Sequence, residues 1–374
     1  MSGRFLGRSV LVACVVLGGC SKEQASAPAT EGGSSDETGR RVVLYTSADP
    51  DVRRAVVDAF EKRTGIEVLD VGDTEATKTV GLARRLLDER ESPRADVWWS
   101  NEPFYTIRLA KQGVFEPYRS ETSEADFPGG WPASARGSDG TWYGFAARAR
   151  VIAYDTRKLD RAEVPRTLRD LAEPRWTGKV GMARPIFGTT VGHMATLVSL
   201  WGEEPTRQWL ESMEANGLRL YDGNSSVVRA IADGEIELGL TDTDDVWVAQ
   251  REGWPVGLVY ETREIEGSVP ATSESVWPLA SFGAIVIPNT AAKVAGGPNS
   301  AEAEALLDFL TSEACERLLM TSDARNVPLR PEAAGELFER YPETRIDPPA
   351  DIDLEEAAES IDTARRLVED VFGL

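Results

Sequence analysis

The chain has 374 residues, of which 62 are Asp or Glu and 41 are Lys or Arg, for a formal charge of −21 at neutral pH. So acidic a surface repels nucleic acid and anionic lipid alike, which excludes both as partners. Three cysteines and one histidine, His193, are too few for an ordinary zinc centre, and no G-x-S-x-G elbow, Walker loop or dinucleotide fingerprint after the first strand is present.

In chain order, Met1 to Cys20 sets Arg4 and Arg8 before the apolar stretch Val10 to Leu17, which is too short to span a bilayer and reads as a secretory signal. Its end, Leu17-Gly18-Gly19-Cys20, resembles the bacterial lipobox, where cleavage precedes the cysteine and its sulfur takes a diacylglycerol. That resemblance implies a lipid anchor through Cys20 and a place in the cell envelope, on the periplasmic or extracellular face of a bacterial membrane. Residues 21–40 are rich in Ser, Gly, Ala and Glu without apolar periodicity, the composition of a flexible linker. With Cys14 removed and Cys20 lipidated, Cys315 stands alone and no internal disulfide is expected.

From Arg41 roughly 330 residues remain, more than one core usually serves, so two lobes are expected. RVVLYTSA, residues 41–48, is a β-branched run; Val52, Ala55, Val56, Ala59 and Phe60 then recur at helical spacing up to Gly65. IEVLDVG is a second strand, TVGLARRLLDERES an amphipathic helix, ADVWWS a third strand and PFYTIRLAKQG a further helix. Trp98 and Trp99 point to opposite faces of their strand, which predicts that at least one is core. WYGFAARARVIAYD, residues 142–155, is extended and carries Arg148 and Arg150. A later strand, IELGL, ends at a cluster of three carboxylates, Asp242, Asp244 and Asp245. This is the grammar of an α/β sheet, in which ligands sit beyond the carboxyl ends of the strands.

The succession VVLYTSADPDVRRAVVDAFEKRTGIEV, ADVWWSNEP, GFAARARVIAYD, RPIFGTTVGHMATL and DGNSSVVRAIADGEIELGLTDTDDVW resembles the ferric-iron-binding branch of the periplasmic solute-binding proteins that serve ABC importers. The resemblance implies a two-lobed, type 2 periplasmic-binding-protein fold, each lobe a mixed sheet flanked by helices, with the ligand in the cleft between them. It implies one lobe from residues 41–147 and 276–321 and a second from 148–275 and 322–374, the acidic tail from Pro331 packing on the second. It further implies a monomer that delivers a small ligand to an ABC permease, without catalytic cofactor.

Carried across residue by residue, the resemblance exposes a departure. Members of that branch commonly hold iron with two adjacent tyrosines after the strand matching IELGL, and those positions are Asp244 and Asp245 here. Asp49 stands where a His or polar residue is often found, and the Glu ligand of some members falls on Asn101, with Glu102 beside it. The expected cation ligands are therefore Asp49, Glu102, Asp242, Asp244 and Asp245. Carboxylates are hard oxygen donors suited to Fe³⁺ or other hard cations, and a bound cation relieves their mutual repulsion. Gly188, Thr189, Thr190 and Asn224 match the segments that bind an accompanying anion, and with Asn101 and Arg148 they form the expected anion and ligand contacts.

Plainer roles compete with these. Asp242 or Asp244 can cap a helix, Thr189 and Thr190 can cap the helix containing His193, and Arg150 can be a structural ion-pair partner. The same fold can bind a small organic solute, an amine, zwitterion, phosphonate or sugar phosphate. A carboxylate-only metal hydrolase is the remote alternative. Tyr45, Tyr143 and Tyr221 lie near cleft-facing segments and are the tyrosines that could still ligate a metal.

Overall fold

The computed structural model describes residues 39–73, 79–120, 125, 127, 130–264, 281–347 and 349–374. The signal and Cys20 lie outside the described residues, as do residues 265–280 at the expected return from the second lobe to the first.

Ten strands occur among the described residues: β1 (Arg41–Thr46), β2 (Glu67–Gly72), β3 (Val97–Ser100), β4 (Phe115–Glu116), β5 (Tyr143–Asp155), β6 (Val180–Ala183), β7 (Arg219–Tyr221), β8 (Leu238–Asp242), β9 (Val256–Val259) and β10 (Val286–Val294). The helices are α1 (Pro50–Thr64), α2 (Val80–Asp88), α3 (Phe104–Lys111), α4 (Leu168–Leu171), α5 (Gly188–Trp201), α6 (Glu203–Ala215), α7 (Asn224–Ala232), α8 (Thr243–Arg251), α9 (Ser300–Leu310), α10 (Glu313–Thr321), α11 (Pro331–Arg340), α12 (Leu354–Glu359) and α13 (Ile361–Phe372). The expected alternation of strand and helix over the first hundred residues is present. Pro50, whose missing N–H would be unpaired in any case, opens α1, and Gly65 ends it at φ 69°, a left-handed conformation that glycine adopts without penalty.

The strands run in the order β2-β1-β3-β10-β5-β8-β6-β7, with β4 on β10 and β9 on β5. β1, β2 and β3 are parallel, as are β6, β7 and β8, so each half of the sheet presents its carboxyl ends as a row. The long strand β5 joins the halves. Tyr143 to Ala149 pair antiparallel with β10, and Arg150 to Asp155 pair with β8 and β9. All thirteen of its residues are buried, which a connector lying on the surface could not be.

Both tryptophans of β3 are core. Trp98 packs on one face with Tyr45, Phe104 and Ile107, and Trp99 on the other with Phe60, Phe145 and Phe309. Each indole N–H keeps a partner, Thr106 Oγ1 at 2.8 Å for Trp98 and Asn289 Oδ1 at 3.4 Å for Trp99. Neither is a stacking platform for a ligand.

Where β5 passes from one half to the other the backbone is strained. Ala146 adopts φ 37°, a region unfavourable for a residue with Cβ, beside a register shift at Pro288/Asn289. A buried carboxylate holds this bend: Glu316 Oε1 accepts from the N–H groups of Ala146 (3.1 Å) and Leu329 (2.7 Å), and Oε2 from Arg330 Nη1 (3.0 Å). Asn289 Nδ2 donates to the Ala146 carbonyl at 2.6 Å.

The acidic tail does not pack on the second half alone. α11 lies against α10, α12 sits between α3 and α5, and α13 runs along α5 and α6. Arg108 of α3 forms a paired contact with Asp362 of α13 at 2.8 and 3.0 Å, so the tail ties elements of both halves.

Removing Glu316 takes the carboxylate away from the buried Arg330 guanidinium and from three backbone N–H groups, those of Ala146, Leu329 and Arg330. Glu316→Ala is expected to lower unfolding free energy by about 3–5 kcal/mol in urea titration. A loss below about 1 kcal/mol would show that the bend is held by something else.

Candidate functional site

Six segments meet at the carboxyl ends of the strands: the turns after β1, β3, β6, β7 and β8, and the middle of β5. They enclose a recess of about 30 Å³ lined by Asp49, Asn101, Arg148, Gly188, Thr189, Thr190, Asn224, Asp242, Asp244 and Asp245, among others. Asp49, Asp244 and Asp245 also line a larger chamber of about 610 Å³, walled by α1, α7, α8 and α10. Every expected site residue except Glu102 therefore borders the recess.

The turn geometry places them. Asp49 precedes α1 in extended conformation and its side chain makes no cap hydrogen bond. Asn101 is pinned by Ser47, whose hydroxyl accepts from the Asn101 N–H and donates to Oδ1, each at 3.1 Å. Ser47 was not singled out by the sequence. Gly188 opens α5 at φ 58°, a conformation a side chain would strain. Asp242 takes the extended backbone position before α8 without capping it, and Asp244 and Asp245 occupy the first turn, where the helix dipole favours negative charge. One carboxylate oxygen from each of Asp242, Asp244 and Asp245 lies within 4.8 Å of the others.

Two of the expected cation ligands have other work. Glu102 is wholly buried and caps α3, its Oε2 accepting from the N–H of Phe104 at 2.7 Å and of Tyr105 at 3.2 Å. Its position at a strand end is as expected, but the side chain turns inward; Asn101 is the residue that reaches the recess. Asp242, only 1% exposed, is saturated: Oδ2 accepts from Thr189 Oγ1 (2.6 Å), Asn224 Nδ2 (2.9 Å) and Arg148 Nε (3.2 Å), and Oδ1 from Arg150 Nη1 (2.8 Å). Burial alone would raise its pKa, but the charges of Arg150 and Arg148 and these donors outweigh burial and hold it below the usual carboxylate range.

Three of the groups expected to bind an anion, Arg148, Thr189 and Asn224, are among those donors, whereas Asn101, Gly188 and Thr190 line the recess. Arg148 also reaches Asp244 Oδ2 at 3.4 Å, and Thr190 Oγ1 donates to Asn224 Oδ1 at 3.4 Å. Arg150 is structural: buried, it pairs with Asp242 and donates through Nε to His193 Nδ1 at 3.3 Å. Burial and the Arg150 charge hold the His193 pKa well below its ordinary value, so the ring is neutral with its proton on Nε2. Four carboxylates, Asp49, Asp242, Asp244 and Asp245, thus stand against two guanidinium groups, Arg148 and Arg150. No tyrosine lines the recess or the chamber among the described residues. The Tyr45 hydroxyl pairs with Glu89 instead, and burial followed by that carboxylate pushes its pKa up to about 12.

With the geometry in place, comparison with known proteins gives the class. The sequence model of the family described as bacterial extracellular solute-binding protein matches residues 93–347, and the chain belongs to that family. Its members are solute-binding proteins of transport, working with an ABC permease, and not enzymes. The major ferric iron-binding protein of Neisseria meningitidis serogroup B is 26% identical over 308 residues, 82% of this chain and 86% of that protein. Iron-bound HitA from Pseudomonas aeruginosa matches with a TM-score of 0.72 at 24% identity over 90% of this chain and 100% of that one. Apo ferric ion-binding protein A from Pasteurella haemolytica matches at 0.74, with 21% identity over 89% and 98%. These two structures show the type 2 periplasmic-binding-protein fold expected from the sequence. Among the described residues no helix is long and apolar enough to cross a membrane.

Burial pushes Glu102 up to about 7 from an ordinary 4.5, against the lowering effect of the Tyr105 and Phe104 N–H groups. A raised acid stabilises the fold fully below its unfolded pKa and loses that contribution as pH rises through the folded one. Wild-type protein is therefore expected to lose stability relative to Glu102→Gln between about pH 5 and about pH 8, by on the order of 3 kcal/mol. Parallel stability profiles over that window in urea titrations would contradict a buried, proton-binding Glu102.

Proposed function

We propose that the chain is the lipid-anchored, extracytoplasmic solute-binding protein of an ABC importer, tethered through Cys20, and that its solute is ferric iron or another hard cation held by carboxylates. Asp244 and Asp245 on the first turn of α8 and Asp49 before α1 are the proposed ligands, with Asn101 at the rim. The observation that carries the reading is the meeting of four carboxylates at the strand ends, where Asp49 lines the same recess as Asp242, Asp244 and Asp245 and one oxygen from each of those last three lies within 4.8 Å of the others. The relative named for ferric iron binding supports the choice of cation. Oxygen donors of this kind match small, highly charged ions, and binding removes the repulsion among them.

A second reading, a cationic organic solute, is favoured by the chamber of about 610 Å³. Its wall combines acidic Asp51 and Glu252 with apolar Val52, Val248 and Leu318. Metal analysis of protein purified without chelator, with mass spectrometry of any released small molecule, separates the two.

The proposed ligands are tested by equilibrium titration. Asp244→Asn combined with Asp245→Asn is expected to weaken cation binding by roughly 100-fold or more, since ligand charge sets affinity for hard ions. Asp58→Asn, exposed on α1, is expected to change it by less than about twofold. Equal, small effects would remove the cluster as a binding site, and a matched unfolding curve for each variant separates lost binding from lost stability.

A further inference from the structure

Four donors from three separate segments, β5 and the first turns of α5 and α7, converge on the Asp242 carboxylate: two guanidinium groups, one amide and one hydroxyl. Together they have the composition of an oxyanion receptor, since guanidinium forks match planar carboxylate and carbonate groups and neutral donors fill the remaining lone pairs. The occupant of this receptor is part of the chain. β8 delivers Asp242 at the register position opposite Arg150, and at 1% exposure the carboxylate is enclosed. The bond lengths of 2.6 to 3.2 Å leave neither oxygen short of a partner.

We infer that Asp242 is the site's own anion: a positioning residue that fills the oxyanion receptor from within, so that the protein binds its cation without a separate anion from solution. An external carbonate or carboxylate would have to displace a covalently attached carboxylate that faces the receptor at effectively fixed, high local concentration. Asp242 also sets the direction of the other groups. It holds Arg148 so that Nη1 reaches Asp244, and it fixes the Asn224 amide, whose Oδ1 then accepts from Arg150 at 3.3 Å. Removing the carboxylate leaves two buried guanidinium groups around a space the size of the lost group, which a one-carbon carboxylate fits.

The receptor stands on the geometry alone; only its link to cation binding rests on the function proposed above. The test uses the full chain, terbium(III) chloride as a luminescent hard cation, and sodium formate against sodium chloride at equal ionic strength. In wild type, formate is expected to change neither terbium affinity nor melting temperature relative to chloride. In Asp242→Ala, terbium affinity is expected to fall roughly 10- to 100-fold, as when an outer-shell partner of a ligand is lost. Formate, and not chloride, is expected to restore most of it and to raise the melting temperature. Asp242→Asn, which fills the space with a neutral group, is expected to show the loss without the rescue. Formate-strengthened terbium binding in wild type would overturn the inference, as would a folded Asp242→Ala protein indifferent to formate. If Asp242→Ala does not fold in chloride, folding in formate supports the receptor and failure in both salts contradicts it. If wild type binds no terbium, the cation reading fails by itself, and the formate effect on the melting temperature of Asp242→Ala still decides the receptor.

Discussion

The structure is organised around a pair of arginines buried in the middle of one long strand. Arg148 and Arg150 lie two residues apart on one face of β5, where the strand passes between the halves of the sheet, and burying two guanidinium charges there is prohibitive without counter-charge. Asp242 supplies it from β8, directly opposite Arg150. The packing of β8 on β5, the start of α8 and the directions of Thr189 and Asn224 all depend on that neutralisation. It explains why Asp242, although it lines the recess, has both carboxylate oxygens taken up by donors of the chain, while Asp244 and Asp245 follow in the first turn of α8.

Much of this was legible in the sequence. The strand and helix alternation through residue 113, the extended run around Arg148 and the convergence of the strand ends follow from local periodicity, turn residues and resemblance to one family. What local pattern could not supply was direction. Asn101 and Glu102 are adjacent, and only the inward turn of the chain into α3 decides that the amide borders the recess and the carboxylate caps the helix. Asp242 and Arg150 are 92 positions apart, and their pairing depends on a register between β5 and β8 that neither segment encodes alone. Thr189, Asn224 and Arg148 were grouped in the sequence as donors for an anion, and that they converge on an aspartate of the same chain is a property of three-dimensional packing. The tail from Pro331 was expected on the second lobe; α12 touches α3 because its apolar residues, Leu354, Ala357 and Ala358, complete a core shared by both halves.

Exchange of phenolate for carboxylate defines the chemistry proposed for this protein. A phenolate must lose a proton with an ordinary pKa near 10 to ligate, whereas a carboxylate is ionised throughout the neutral range, so the site is charged before its cation arrives. Four carboxylates against two guanidinium groups favour cations and disfavour anions at long range, in keeping with a receptor whose anion is built in. The three tyrosines that could have restored a phenolate site are engaged elsewhere: Tyr45 with Glu89, Tyr143 against Trp131, and Tyr221 facing Glu235.

The most direct measurement of a carboxylate iron site is the visible absorption spectrum of the wild-type protein loaded with one equivalent of ferric ion and freed of excess metal. Phenolate bound to ferric ion gives an intense charge-transfer band, and carboxylates bound to the same ion give no comparable absorption. Stoichiometric iron with a nearly colourless protein is the predicted result. An intense visible band at one iron per chain would show that a tyrosine still ligates the metal and would contradict the assignment to Asp49, Asp244 and Asp245.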